Sequence, residues 1–155
     1  MSLALKSAEI FRAAEDIEAH GIEFYSTNAV RYAANPKLKE LFESLTEMEK
    51  RHKKLFHSLT AKFASRHGGE PELSDTELLE YLDAMVKGKI FKRDEVPPDA
   101  SAEKVIEVAI SFEKNSVVFF SALKQVALDE EAGKAIDRII CEEISHIAML
   151  TEIVA

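Results

Sequence analysis

The sequence has little cysteine, proline or glycine and no tryptophan. Its single cysteine, Cys141, excludes a disulfide within the chain and a metal site built on several thiolates. Four prolines and five glycines in 155 residues leave long stretches without a helix breaker. Because Ala, Leu, Glu and Lys are abundant, this composition favours helices over a sheet.

Two further absences limit the partners of the chain. It contains no run of about eighteen apolar residues and no signal-like apolar segment at its N-terminus, so we expect a cytoplasmic protein without a membrane span. Its net charge is −8 and no basic stripe stands out, which argues against nucleic acid as a partner. With 46% hydrophobic residues, we expect a single domain, residues 1–155, around one core.

Four long segments carry apolar residues at alternating steps of three and four, the pattern of a helix with one buried face. Their inward positions run from Phe11 to Tyr32, Leu38 to Phe63, Ile106 to Ala127 and Ala132 to Ile153. Such a sustained repeat is typical of helices that pack at small angles, as in an all-α four-helix bundle.

The helix boundaries predict two hairpins. Asn35 before Pro36 and Asp129 before the last segment are good N-caps, and Gly68-Gly69 ends the second segment. Short turns therefore join the first helix to the second and the third to the fourth. The crossover of about thirty residues between the hairpins carries a capping box at Ser74, which predicts a short extra helix there.

Six side chains able to bind a metal lie on the apolar stripes. Each half contributes a Glu-x-x-His step and, about thirty residues before it, a lone glutamate. They are Glu18, Glu49 and His52 in the first half and Glu113, Glu143 and His146 in the second. A Glu-x-x-His step alone is weak, because a given histidine here has a glutamate three residues before it about one time in seven. Its repetition on the buried stripe of both halves is the informative feature.

This ligand set predicts a site for two metal ions. Glutamate and histidine three residues apart on a helix share one face. Two divalent ions would neutralise four inward carboxylates, which removes the main penalty for burying them. Carboxylate oxygen with imidazole nitrogen suits iron, manganese or zinc, and the large share of carboxylates favours iron or manganese over a purely structural zinc.

Other polar or aromatic residues have simpler interpretations. We expect His20 and His57 on the surface, His67 at a helix end, and Cys141 as a semi-buried inert thiol. Glu47 and Glu142 flank the stripe and are expected to be solvated. Tyr25 lies on the stripe two turns after Glu18, where its hydroxyl could hydrogen-bond a ligand carboxylate, and Phe120 takes the equivalent place without a hydroxyl.

These motifs resemble the rubrerythrin-like branch of the ferritin-like di-iron superfamily. The resemblance rests on Glu18-Ala-His-Gly-Ile-Glu-Phe-Tyr25, Glu49-Lys-Arg-His52, Glu113 with Phe119-Phe120, and Glu143-Ile-Ser-His146. It covers essentially the whole chain, with the crossover the least similar part. It implies a ferritin-like bundle, two iron ions (or manganese, or a mixed pair) on the six residues, and no haem or flavin. Glu49 and Glu143 would bridge the ions, and Glu18 and Glu113 would be terminal ligands.

The sequence departs from the family pattern in three places. It lacks the four cysteines of a rubredoxin-type iron centre, so electrons would come from a separate donor protein. Ser116 stands where rubrerythrins place an extra carboxylate, and Phe120 replaces a frequent tyrosine.

Three functions stay open at this point. The first is an oxidoreductase that reduces hydrogen peroxide or dioxygen. The second is ferrous-iron oxidation or iron handling, and the third is a metal-stabilised bundle without catalysis. We also expect a homodimer, because Leu55-Phe56 and Val117-Val118-Phe119 widen the apolar face.

Overall fold

The computed structural model describes residues 7–66, 76–86, 96–127 and 129–154. Every secondary-structure element in these ranges is an α-helix: α1 (Ser7–Arg31), α2 (Pro36–Arg66), α3 (Thr76–Val86), α4 (Ala102–Val126) and α5 (Glu130–Val154). The four predicted long helices and the short helix in the crossover are therefore confirmed. Ser74, the predicted cap of the short helix, and the Gly68-Gly69 stop lie outside the described residues.

The chain divides into two compact units, residues 1–72 and 73–155. In the first, α1 packs against α2; in the second, α4 packs against α5 and α3 contacts α4. The prediction of a single domain stays a prediction.

The α1–α2 unit is an antiparallel hairpin. Along α1, Glu15 approaches His57, Glu18 approaches His52, and Tyr25 stacks on Phe42, so the partner number falls as the α1 number rises. At the turn, Asn35 Oδ1 accepts a hydrogen bond from the amide of Leu38 at 3.2 Å, which satisfies one of the free donors at the start of α2. The predicted cap is confirmed.

The α4–α5 pair repeats this arrangement. Glu113 approaches His146 and Lys124 pairs with Asp137 at 2.6 Å, again in antiparallel order. Asp129 Oδ1 caps α5 by accepting from the amide of Ala132 at 2.9 Å, and Ser101 Oγ caps α4 by accepting from the amide of Lys104.

The predicted inward stripes are the faces that the helices bury. Positions Phe11, Phe42, Phe56, Phe120 and Ile136 are at most 1% exposed, and the polar members of the stripes are as deeply buried as the apolar ones. Tyr32, Ala127 and Ile153, at the ends of the stripes, are half-buried. The buried face of each hairpin is therefore where its candidate ligands lie.

Candidate metal centre

The first cluster of candidate ligands belongs to the α1–α2 hairpin. Glu18 comes from the middle of α1, and Glu49 and His52 come from one face of α2; all three are at most 3% exposed. The Nδ1 atom of His52 lies 3.6 Å from Glu18 Oε2 and 3.8 Å from Glu49 Oε2. One potential ligand atom from each residue lies within 4.8 Å of the others.

The second cluster belongs to the α4–α5 hairpin and uses the same residue types. Glu113 comes from α4, and Glu143 and His146 from α5; all three are at most 1% exposed. The Nδ1 atom of His146 lies 3.6 Å from Glu113 Oε1 and 2.9 Å from Glu143 Oε2. The ligand atoms of these three residues also gather within 4.8 Å.

The separations in both clusters suit a shared cation. Two ligand atoms that are each about 2.1 Å from one ion lie about 3.0–3.4 Å apart, depending on the coordination angle. The four imidazole–carboxylate distances, 3.6 and 3.8 Å in one hairpin and 3.6 and 2.9 Å in the other, fall near this range. Three of the four exceed the length of an N–H···O hydrogen bond.

The charge of the clusters also suits metal ions. Each cluster places two carboxylates beside one imidazole, and no lysine or arginine is buried among the residues whose burial the structure describes. Ionised carboxylates removed from water are costly unless a cation compensates them. One divalent ion per cluster would neutralise it, provided that the histidines are in the neutral form that binds metals. The residues therefore fit a carboxylate–histidine metal centre.

Comparison with known proteins places this geometry in a family. The family model described as rubrerythrin matches residues 9–154, nearly the whole chain. The chain belongs to the rubrerythrin family. No curated protein sequence is significantly similar to it.

A solved structure shows the same fold as this rubrerythrin-family chain. It is a Thermotoga maritima protein described as ferritin-like and diiron-carboxylate, 23% identical, with a TM-score of 0.66 over 98% of this chain and 96% of the other. The predicted all-α, ferritin-like fold class is thereby confirmed. Together, the family and the two clusters support a di-metal centre.

Tyr25 and Phe120 each lie seven residues after the lone glutamate of their hairpin. Both are fully buried. The Tyr25 ring stacks on Phe42, with centroids 6.1 Å apart, and the Phe120 ring meets Phe119 edge-on at 5.9 Å. The hydrogen bond from Tyr25 to a ligand carboxylate stays a prediction. Ser116, where rubrerythrins place an extra carboxylate, is buried and its hydroxyl donates to the carbonyl of Phe112 at 3.1 Å.

Of the residues predicted to lie off the site, those that the structure describes are not members of either cluster. His57 is 75% exposed and faces Glu15 at 3.3 Å, and His20 is half-buried. Glu47 is exposed, and the hydrogen bond that its carboxylate accepts from Lys50 holds the pKa of that carboxyl below the usual value. Glu142 is half-buried and His67 lies outside the described residues.

One prediction was wrong, and one contact was not predicted. Cys141 is exposed, not semi-buried, because it lies between the inward positions Ile139 and Glu143 and faces away from both. The unpredicted contact joins Gly21 of α1 to the side chain of Glu49. The sequence signal for it was a glycine on the buried stripe, in the interior of a helix that gains nothing from glycine.

Proposed function

We propose that the six clustered residues hold two iron ions. The observation that carries this proposal is the pair of buried Glu–Glu–His clusters, one in each hairpin, in a chain of the rubrerythrin family. By the family resemblance, the four carboxylates of Glu18, Glu49, Glu113 and Glu143 would hold the ions together with the two histidines. His52 and His146 each supply the Nδ1 atom, the ring atom that faces the carboxylates. Manganese or a mixed pair is the alternative occupant.

The reaction we propose is the reduction of hydrogen peroxide to water; dioxygen, which needs four electrons to reach water, would require two rounds of reduction by the electron donor. When bound, two ferrous ions supply one electron each, which with two protons converts one peroxide molecule into two molecules of water. The electrons come from a donor outside these 155 residues, which contain one cysteine and cannot build a four-cysteine iron centre.

The surrounding side chains have separate tasks in this proposal. The four glutamates neutralise the ions and keep them in a buried site. Fully buried aromatic side chains, among them Phe56 and Phe120, exclude water from the hairpin interiors. The Tyr25 hydroxyl orients a ligand carboxylate in one hairpin, whereas Phe120 offers no hydroxyl in the other.

Ferrous-iron oxidation is the second candidate, and Ser116 is the observation that favours it. The position carries no carboxylate, and the Ser116 hydroxyl is bound to the Phe112 carbonyl of its own helix. The additional acidic ligand that rubrerythrins place there is therefore missing. A centre with six ligands would bind and oxidise iron with dioxygen without being tuned to peroxide.

The predictions about assembly and location stay predictions. Val118 is 47% exposed in the chain, but Phe119 and Phe56 are fully buried, so the apolar surface for a homodimer is smaller than the sequence indicated. None of the described helices is long and apolar enough to cross a membrane.

Metal counting with matched variants tests the proposed centre. The protein is purified, its metals are counted by elemental analysis, and the count is repeated for Glu49→Gln and Glu143→Gln. The control is Glu47→Gln, which changes an exposed carboxylate on the same helix as Glu49. We expect about two iron ions per chain in wild type and control, and clear loss in both ligand variants.

Oxidant titration then separates the two reactions. The iron-loaded protein is reduced anaerobically and titrated with hydrogen peroxide or dioxygen while its visible absorption is followed. Reoxidation by one peroxide per two irons, faster than by dioxygen, supports the peroxide reaction, and the opposite order supports iron oxidation. Wild type that binds no metal and is no more stable than the ligand variants contradicts the proposed function.

A further inference from the structure

Gly21 lies directly against the candidate ligand Glu49. It is a buried residue in the interior of α1, three positions after Glu18. A β-carbon at this position would lie 3.0 Å from both Cγ and Cδ of Glu49 and 3.2 Å from its Oε2 atom. Since carbon atoms in contact are ordinarily about 3.5–4.0 Å apart, a β-carbon at position 21 would make the Glu49 side chain shift by a few tenths of an ångström.

Helix geometry does not explain the glycine. Position 21 lies within a continuous helix of 25 residues, where glycine is among the least favourable residues. A glycine at this position leaves open the space beside the α1 backbone that a side chain would fill. The other described glycine, Gly133 of α5, has nothing within 4 Å of its would-be β-carbon.

The second hairpin shows the same position with a side chain present. Ser116 lies three residues after Glu113, as Gly21 lies three residues after Glu18. In that hairpin the Glu143 carboxylate lies 2.9 Å from His146 Nδ1, whereas the Glu49 carboxylate lies 3.8 Å from His52 Nδ1 and rests on the glycine. The Glu49 carboxylate is thus farther from its histidine than the Glu143 carboxylate is, and the Glu49 side chain lies against the glycine.

We infer that Gly21 is a positioning residue for the metal ligand Glu49. By carrying no side chain, it leaves open the space beside α1 that the Glu49 side chain occupies, which is the place from which Glu49 would bind metal. The inference rests on the proposed function, because it treats Glu49 as a ligand. It assigns a role in the centre to a residue that binds nothing itself.

A purely structural role predicts a different result. If Gly21 only lets α1 and α2 pack closely, then Gly21→Ala will lower the thermal stability of the metal-free chain and affect metal binding only through misfolding. If Gly21 positions Glu49, the metal-free melting temperature will stay near that of Gly133→Ala, which makes the same glycine-to-alanine change in open space. Metal binding will nevertheless weaken.

The test is an anaerobic titration of the metal-free full chain with Co²⁺, followed by its visible absorption. We expect Gly21→Ala to bind at least one Co²⁺ about 10–100-fold more weakly than wild type, with a changed absorption spectrum. Gly133→Ala should match wild type in Co²⁺ affinity and in absorption spectrum. Glu49→Asp, alone and combined with Gly21→Ala, provides the rescue, because the shorter side chain leaves room for the added methyl group. The Glu49→Asp change should weaken Co²⁺ binding less in the Gly21→Ala protein than in wild type.

The outcomes separate this inference from the proposed function. Wild type that binds no Co²⁺ overturns both. Wild type that binds Co²⁺, with Gly21→Ala equal to Gly133→Ala in affinity and spectrum, overturns the positioning role alone. The same follows if Gly21→Ala lowers the metal-free melting temperature sharply and the Glu49→Asp change gives no rescue.

Discussion

The α1–α2 and α4–α5 hairpins carry the same ligand types at nearly the same spacing but surround them differently. Both place a glutamate on the first helix and a Glu-x-x-His step on the second. The first hairpin has glycine and tyrosine at the positions where the second has Ser116 and Phe120, and its Glu–His separation within α2 is 3.8 Å against 2.9 Å within α5.

The two hairpins indicate that the direction of a ligand side chain and its final position have different causes. The helical repeat decides which residues face the interior, and it does so identically in both hairpins. The small residues around the ligands decide where each carboxylate rests within that interior. Two sites built from one pattern can therefore differ in geometry, which gives an asymmetric centre without any change of ligand.

Substituting the two histidines is the strongest test of whether the two hairpins contribute equally to metal binding. His52→Ala and His146→Ala each remove an Nδ1 atom that faces two buried carboxylates, so we expect each to lower the metal content by about one ion per chain. Elemental analysis after gel filtration measures this. His57→Ala, an exposed histidine on α2, is the control and should keep full metal content. If only one of the two changes lowers the count, the hairpins do not contribute equally.

The lone glutamates test the cost of the buried charge. Glu18→Gln and Glu113→Gln each remove one negative charge from a site at most 1% exposed while keeping the shape of the side chain. In chelator, we expect each change to raise the free energy of unfolding by about 1–2 kcal/mol, because a buried charge that lacks its metal is costly. Urea denaturation at pH 7 measures it, with exposed Glu23→Gln as the control. A loss of stability would mean that the metal-free clusters are already compensated.

Exchanging the aromatic residues tests the proposed role of the tyrosine hydroxyl. Tyr25→Phe makes the first hairpin like the second, and Phe120→Tyr does the reverse. Because Tyr25 is fully buried, we expect loss of its hydroxyl to lower the free energy of unfolding of the metal-loaded protein by about 1 kcal/mol and to leave the metal count unchanged. Urea denaturation and elemental analysis measure the two quantities. An equal loss in metal-free protein would place the hydroxyl in the packing of the hairpin and not at the centre.

Most of the fold, and the grouping of the site residues within each hairpin, follow from the sequence. Polar residues such as Glu49 and His146 were recognisable because they fall on a stripe that is otherwise apolar, and burial of that stripe places them inside whatever the details of packing. Caps such as Asn35 were recognisable because the side chain acts on its own backbone, within a few residues.

The contacts between helices could not be read in the same way. The approach of Gly21 to Glu49 joins residues 28 positions apart and depends on how two helices mesh, which the period of either helix does not specify. Cys141 is a different case. The general preference of free cysteine for buried positions suggested partial burial, but the side chain lies on the face of α5 opposite Ile139 and Glu143 and is exposed.

Removing the caps at the two hairpin turns should have the smallest effects on stability, and nearly the same effect in both hairpins. Asn35→Ala and Asp129→Ala each remove a side-chain acceptor from the first turn of the second helix, so we expect each to lower the free energy of unfolding by about 1 kcal/mol. Asp129→Ala should lower the free energy of unfolding slightly more than Asn35→Ala. The hydrogen bond that Asp129 accepts is shorter, at 2.9 Å against 3.2 Å, and its carboxylate also interacts favourably with the positive end of the helix. Urea denaturation in chelator measures both, and Asn35→Asp is the matched variant that gives the first hairpin the cap of the second. That variant should remove the difference in unfolding free energy between the two caps. If the visible spectrum of the metal-loaded protein is unchanged at the same time, then the hairpins differ in their interiors and not at their turns.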